Sequence, residues 1–309
     1  MLSPISPSGQ QFVDSLNATQ ARLSVAQLQI STGLKVNQPS DAPDQISPIL
    51  QLHSEIQQNQ DLQNGLNTAL TTVKTSESAL SDAVNLLQSA AVTATQATGT
   101  TQTADTRKQL AQNVQALLEQ MVTDSRTTLG GRYVFSGDRD GAPLYQLNLS
   151  ASNGVDRLQV ASATGLVQGS GGARYSTSLS GNMIFDHRNT DDTNAPDNAF
   201  AALNGLRVAL LVNDTAGINT SIAAINSAST YMNTQLAYYG QAESRVSADL
   251  NQVQSNGVQL QTQLSSKTDA DMTQAITALT EGTTQLQAAL SARAKMPRTT
   301  LFDVLPVSG

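Results

Sequence analysis

From Ile49 onward the chain holds a strict four-three spacing for 46 residues: Ile49, Leu52, Ile56, Asn59, Gln63, Leu66, Leu70, Val73, Glu77, Leu80, Val84, Leu87, Ala91 and Ala94. Eleven of these fourteen positions are apolar. A seam repeating every 3.5 residues belongs to a helix packed lengthwise against another helix. At 1.5 Å per residue such a helix runs to roughly 69 Å, longer than a small compact domain can hold. The chain is therefore elongated in at least one of its parts.

The breaks in this pattern divide the rest. "TGTTQTAD" ends the long seam, Asp105 is expected to cap a new start, and Leu110, Val114, Leu117 and Met121 carry the spacing on to Gly130 and Gly131. From Gly131 to Asp186 the pattern changes to short alternating runs, Leu147 with Leu149 and Leu158 with Val160, between glycine-rich turns. Those are hairpin signals. Helical spacing resumes over Phe200 to Leu211, continues from Ser221 through Val246, Leu250, Val253, Leu260 and Leu264, and restarts after "KTDADM" as Met272, Ile276, Leu279, Leu286 and Leu290. Asp269 is expected to cap that last helix. The fold class is thus mainly α with a small β-rich insertion, built on a long antiparallel helical bundle or coiled coil of the N- and C-terminal segments. The expected domains are 1–40 with 266–309, a terminal coiled-coil layer; 41–135 with 196–265, a helical rod; and 136–195, a β-rich outer insertion.

Composition narrows the function. Charged residues make up 13% of the chain, about half the usual share, so its polar surface is made of Gln, Asn, Ser and Thr and repels its own copies weakly. A net charge of −7 with 17 scattered Lys and Arg does not suit a nucleic-acid partner, which requires clustered cations. With no cysteine, disulfides and thiolate chemistry are excluded. No apolar run approaches the roughly 18 residues of a membrane span, and "MLSPISPSGQQ" lacks the basic start and apolar core of a cleaved signal peptide. The two histidines, His53 and His187, lie 134 positions apart in sequence with no nucleophile elbow, zinc helix or phosphate loop around them. "GSGG" at 169–172 reads as a flexible hairpin turn, and "DHRNTDD" at 186–192 as a solvated loop. No catalytic, cofactor or metal site is expected.

Three stretches carry a resemblance: "LQISTGLKVNQPSDAPDQISPILQL" near the start, "GRYVFSGDRDGAPLY" in the middle and "DADMTQAITALTEGTTQLQAALSARAKMPRTTLFDVL" at the end. They resemble the flagellin superfamily of bacterial flagellar subunits over roughly residues 1–136 and 197–305. Ser31, Gly33, Val36, Asn37, Pro39, Ser40, Asp41 and Pro43 fill a pattern specific to that superfamily. "GRYVFSG" and "LFDVL" are closest to its members that join hook to filament. The resemblance implies an extracellular structural subunit exported by the flagellar type III apparatus without a cleaved signal. Its terminal helices, disordered in the free subunit, would pair on assembly. The expected partners are copies of itself, another hook-associated protein on the hook side, flagellin on the filament side, and an export chaperone. A filament-forming flagellin and a cytoplasmic coiled-coil scaffold are the alternatives.

On this reading the subunit interface is carried by Leu16, Leu23, Ile30, Ile276, Leu279, Leu286 and Leu290. Gly33, Asn37, Pro39, Ser40, Asp41 and Pro43 form an interdomain joint: Gly33 ends the first helix, a residue before proline is held extended, and Ser40 or Asp41 caps the next helix with Pro43 in its first turn.

Overall fold

The four-three spacing becomes a helix of 52 residues, α2 (Ile46–Ala97), in the computed structural model, which describes residues 7–295. None of the fourteen seam positions is exposed, and Leu66, Val73, Leu80 and Leu87 are wholly buried. The other helices are α1 (Pro7–Thr32), α3 (Ala104–Asp124), a single turn α4 (Gly181–Ile184), α5 (Ala199–Leu211), α6 (Thr215–Thr268) and α7 (Met272–Lys295). Contacts divide the chain into two units. One is formed by Met1–Gln57 with Gly257–Gly309, the other by Gln58–Asn256.

In the second unit α2 and α6 run antiparallel. Asn59 Nδ2 donates to the Val253 carbonyl at 2.9 Å, Leu66 packs with Val246 and Leu250, and Lys74 pairs with Glu243 at 3.4 Å. The helix is buried more broadly than one seam requires: Ser76, Ala79, Ala83, Ala90 and Ala97 are inside as well. These small residues form a second stripe where α2 shares a core with residues of α3 and α5, including Leu118, Met121, Leu203 and Leu206. Many hydroxyls elsewhere on α2 turn back on their own helix. Thr68, Thr71, Thr72, Thr75, Ser89, Thr93 and Thr95 each donate to the carbonyl four residues earlier, which satisfies them without a partner from outside.

Three antiparallel hairpins interrupt the helices: β1 (Thr128–Leu129) with β2 (Arg132–Tyr133), β3 (Tyr145–Leu147) with β4 (Val155–Arg157), and β5 (Leu166–Gln168) with β6 (Arg174–Ser176). The first begins ahead of residue 136, because α3 ends at Asp124 and Gly130 and Gly131, both with positive φ, turn β1 into β2. Leu158 and Val160 follow β4 and are exposed, so that alternation marks an extended edge and not a buried strand.

Aromatic rings close the core beneath the hairpins: Phe135 meets Phe185 edge-on at 5.2 Å, and Tyr145 meets Phe200 at 5.0 Å. The segment expected to be a solvated loop is anchored here. Asp186 is buried and accepts from Asn153, Arg157, Arg188 and Asn198. Asn198 in turn caps α5 by accepting from the Ala201 amide at 2.9 Å. The glycine turn at 169–172 is likewise pinned, since the Asp249 carboxylate on α6 accepts from the Ser170 amide and hydroxyl and from the Tyr175 hydroxyl. The expected cap of α3 is corrected too: Thr103, not Asp105, holds the N-cap, with its Oγ1 accepting from the Thr106 amide.

Candidate assembly surface

Two facing four-three rows join α1 to α7 in the terminal unit. On α1 the inward positions are Phe12, Leu16, Thr19, Leu23, Ala26 and Ile30, with Leu23 and Ala26 buried; on α7 they are Ala275, Leu279, Gly282, Leu286 and Ala289, with Ala275 and Gly282 buried. The helices run antiparallel, for Leu23 lies on Gly282 while the Arg293 guanidinium reaches the Phe12 ring. A Cβ on Gly282 would come within 2.8 Å of Leu23 Cδ2, so the leucine occupies the space glycine leaves. Small residues at these positions let two helices approach closely while burying little apolar area.

The expected interface residues accordingly fall into two groups. Leu16, Leu23, Ile30, Leu279 and Leu286 are buried or half-buried within the chain's own helix pair. Ile276 and Leu290 are not: they are 53% and 52% exposed. Val13, Val25 and Leu28 on α1 and Met272 on α7 stand out in the same way. Among the described residues the terminal unit supplies eight of the 16 exposed large hydrophobics but only five of the 46 buried apolar residues. That balance is the reverse of a self-sufficient core. Charge is sparse on both helices, because α1 carries only Asp14 and Arg22, and α7 only Glu281, Arg293 and Lys295.

The joint is a built structure. Gly33 ends α1 in the left-handed region, φ +74°, with its amide bonded to the Gln29 carbonyl, a conformation glycine adopts without the Cβ penalty. Beyond it the main chain pairs with the link between α6 and α7: Lys35 N donates to Thr268 O at 2.7 Å, Ala270 N donates to Gly33 O at 2.8 Å, and Lys35 Nζ reaches Ser266 O. Asn37 Nδ2 donates to Leu34 O. Pro39, Ser40 and Asp41 form one 3-10 turn, and the Asp41 carboxylate accepts from the Asn37 and Gln38 amides at 2.9 Å each. The expected cap is corrected here. Asp41 closes its own turn, α2 starts only at Ile46, and Pro43 precedes it. At the other link Asp271 caps α7, accepting from the Thr273 and Gln274 amides, whereas Asp269 binds back to Ser265 and Thr268.

These contacts give the joint an expected dependence on pH. Hydrogen bonds from the Asn37 and Gln38 amides hold Asp41 below its ordinary 3.8, and bonds from Ser265 and Thr268, with the Lys35 charge, do the same for Asp269. A carboxyl whose pKa falls on folding adds stability above its unfolded value, and that stability is lost as pH drops through the lower folded value. Protease cleavage within residues 34–43 is expected to be slow at neutral pH and to accelerate below about pH 3.8 before the helical unit melts; equal rates across that range would show that the carboxylates do not hold the joint.

The remaining polar constellations are small and local. His187 Nδ1 lies 2.6 Å from Asp197 Oδ1 and its ring stacks on Tyr231, His53 is exposed on α2, and no group of three or more His, Asp or Glu side chains able to hold a metal occurs among the described residues. No helix among them is long and apolar enough to cross a membrane. The "LFDVL" motif at 301–305 lies outside the described residues. The small residues Ala275, Gly282 and Ala289, the first two buried and the third half-buried, were missed by hydrophobic periodicity, their only signal being their seven-residue spacing.

Residues 8–140 match the bacterial flagellin N-terminal helical region, and residues 222–305 match the bacterial flagellin C-terminal helical region. The chain is 26% identical to the flagellar hook-associated protein 3 of Escherichia coli over 309 residues, 96% of this chain and 96% of that protein. It is 29% identical to the flagellar hook-associated protein 3 of Salmonella typhimurium over 205 residues, 65% of this chain and 64% of that one. The crystal structure of Xanthomonas campestris FlgL matches with a TM-score of 0.58 at 18% identity, covering 69% of this chain and 99% of that one, a likeness of fold.

Proposed function

Because the chain belongs to the bacterial flagellin family, we propose that it is a structural subunit of the flagellum, an adaptor that joins hook to filament by polymerising through its terminal helices. The observation that carries this reading is the end-to-end match to a hook-associated protein 3, which takes in the insertion as well as the helical ends. The apolar surface left open on α1 and α7 supports the same reading, since a subunit that completes its core only among neighbours leaves such a surface uncovered in the single chain.

Its partners on this reading are copies of itself, another hook-associated protein on the hook side and flagellin on the filament side, with a chaperone during export. The subunit works outside the cell, in the flagellum, after export without a cleaved signal. Leu16, Leu23, Ile30, Leu279 and Leu286 hold the terminal pair together, Ile276 and Leu290 meet adjacent subunits, and the Gly33 to Pro43 joint links α1 to α2 within the terminal unit.

The test is a deletion strain. It is expected to lose motility and release flagellin into the medium, with both defects reversed by the restored gene, while the purified chain grows no long filaments when seeded. Long filaments of the chain alone would move the reading to a filament-forming flagellin, and a motile deletion strain would end it.

A further inference from the structure

Four carboxylates converge on one flank of the helical unit in a chain where charge is sparse. Two adjoining clefts, about 460 and 410 Å³, share Lys74, Ser78 and Asp82; Glu77 and Glu243 line the first, and Asp124 and Thr127 the second. Lys74 is the one cation lining them, and it pairs with Glu243 at 3.4 Å.

Asp124 is the anomaly. It is nine-tenths buried, it is the last residue of α3, and its Oδ1 accepts from Gln120 Nε2 at 2.8 Å while Oδ2 has no hydrogen-bond partner. A carboxylate at a helix C-terminus faces the negative end of the dipole, and a buried charge without its bonds is costly. The threonine hydroxyls of the cleft do not relieve it: Thr127 Oγ1 donates to the Asp124 carbonyl and Thr75 Oγ1 to the Thr71 carbonyl. Burial, with the nearby Asp82 charge, pushes the Asp124 carboxyl up, and burial together with Glu243 does the same to Glu77. The flank is electrostatically unfinished in the single chain.

We propose that this groove is a socket for an arginine side chain of a second copy of the chain, with exposed Asp82 taking its hydrogen bonds and Asp124 supplying negative charge beneath. The proposal rests on the assembly reading above. Charge complementarity selects the occupant. The carboxylates are strung along the groove and not gathered as metal ligands, which suits a planar guanidinium with five donors spread over several ångströms. The same chain carries candidates on its hairpin segment. Arg139, in the 3-10 turn Gly137–Arg139, and Arg174, at the start of β6, are exposed, and neither side chain has an acidic partner among the described residues.

The cysteine-free chain makes the test direct. Ser78→Cys places a thiol in the groove; Gly141→Cys and Gly171→Cys place one near each arginine, at glycines where an added Cβ meets nothing within 4 Å. In flagella detached from cells carrying Ser78→Cys with one of the other two, mild oxidation is expected to yield a disulfide-linked dimer that neither single variant gives. Adding Asp82→Asn and Asp124→Asn should cut its yield at least tenfold while the melting temperature of the purified chain holds or rises. A merely structural Asp124 would lower that temperature instead. No dimer from either pair in swimming cells overturns the proposal, as does an undiminished yield with both carboxylates neutralised. A rise in melting temperature with calcium or magnesium chloride that the double Asn variant lacks also overturns it, in favour of an ion site. In all three cases the assembly reading stands; only a motile deletion strain removes both.

Discussion

Leu80→Asp is expected to unfold the helical unit. Leu80 is wholly buried in the middle of the α2 seam, in one core with Val73, Val84, Leu87 and side chains of α3, α5 and α6. Truncating such a leucine to alanine costs about 2–5 kcal/mol, and a carboxylate adds a buried charge with nothing to pair it. Set against a total stability of about 5–15 kcal/mol, the substitution leaves little or nothing. Thermal melting followed by circular dichroism should show the cooperative transition lost or lowered by roughly 10–20 °C. A shift under about 3 °C would mean that the seam is not the core of the unit.

Leu290→Asp should have the opposite profile. The side chain is already half in water, at the margin of the row by which α7 packs on α1, so the free chain should melt within a degree or two of the unchanged protein, as surface substitutions do. In the proposed assembly the same position is buried against a neighbour, where an unpaired charge repeated at every contact around a ring would cost several kcal/mol per subunit. Incorporation at the hook tip should fall by about a thousandfold, the equivalent of roughly 4 kcal/mol, with motility lost and flagellin released. Ile276→Asp, on the same helix and equally exposed, should repeat the result. Swimming cells with either variant would place the subunit contacts elsewhere. Leu286 is the less informative residue, because it also serves the intrachain pair.

The contrast between Leu80 and Leu290 also measures what hydrophobic periodicity can and cannot find. Ile49 through Ala94 was legible because large side chains recur at the buried positions, and in the structure no seam residue is exposed. On α7 the large residues Ile276 and Leu290 are neighbours of the inward row, in which Ala275 and Gly282 are buried and Ala289 half-buried. Small residues bring helices close through their lack of bulk, a quantity that hydropathy does not register. The same holds for Ala79, Ala83 and Ala90 on α2, whose burial depends on α3 and α5 arriving from distant sequence. The caps were misplaced by a few residues at both ends because several Ser, Thr and Asp compete at each helix start, and only the path of the preceding loop decides among Thr103 and Asp105, or Asp269 and Asp271. Asp186 was invisible for a related reason: its partners come from Asn153, Arg157 and Asn198, up to 33 positions away.

The paired links at the joint have a mechanical consequence. A single strand between two helices swivels, since torsion about a few backbone bonds meets little resistance. Here two strands run side by side and are bonded across, at Lys35 to Thr268, Gly33 to Ala270 and Lys35 to Ser266. Twisting either terminal helix about its length must shear these bonds together, whereas bending across the pair stretches few of them. The paired links therefore tie the end of α1 to the end of α6, so that neither helix turns about its length without breaking bonds to the other.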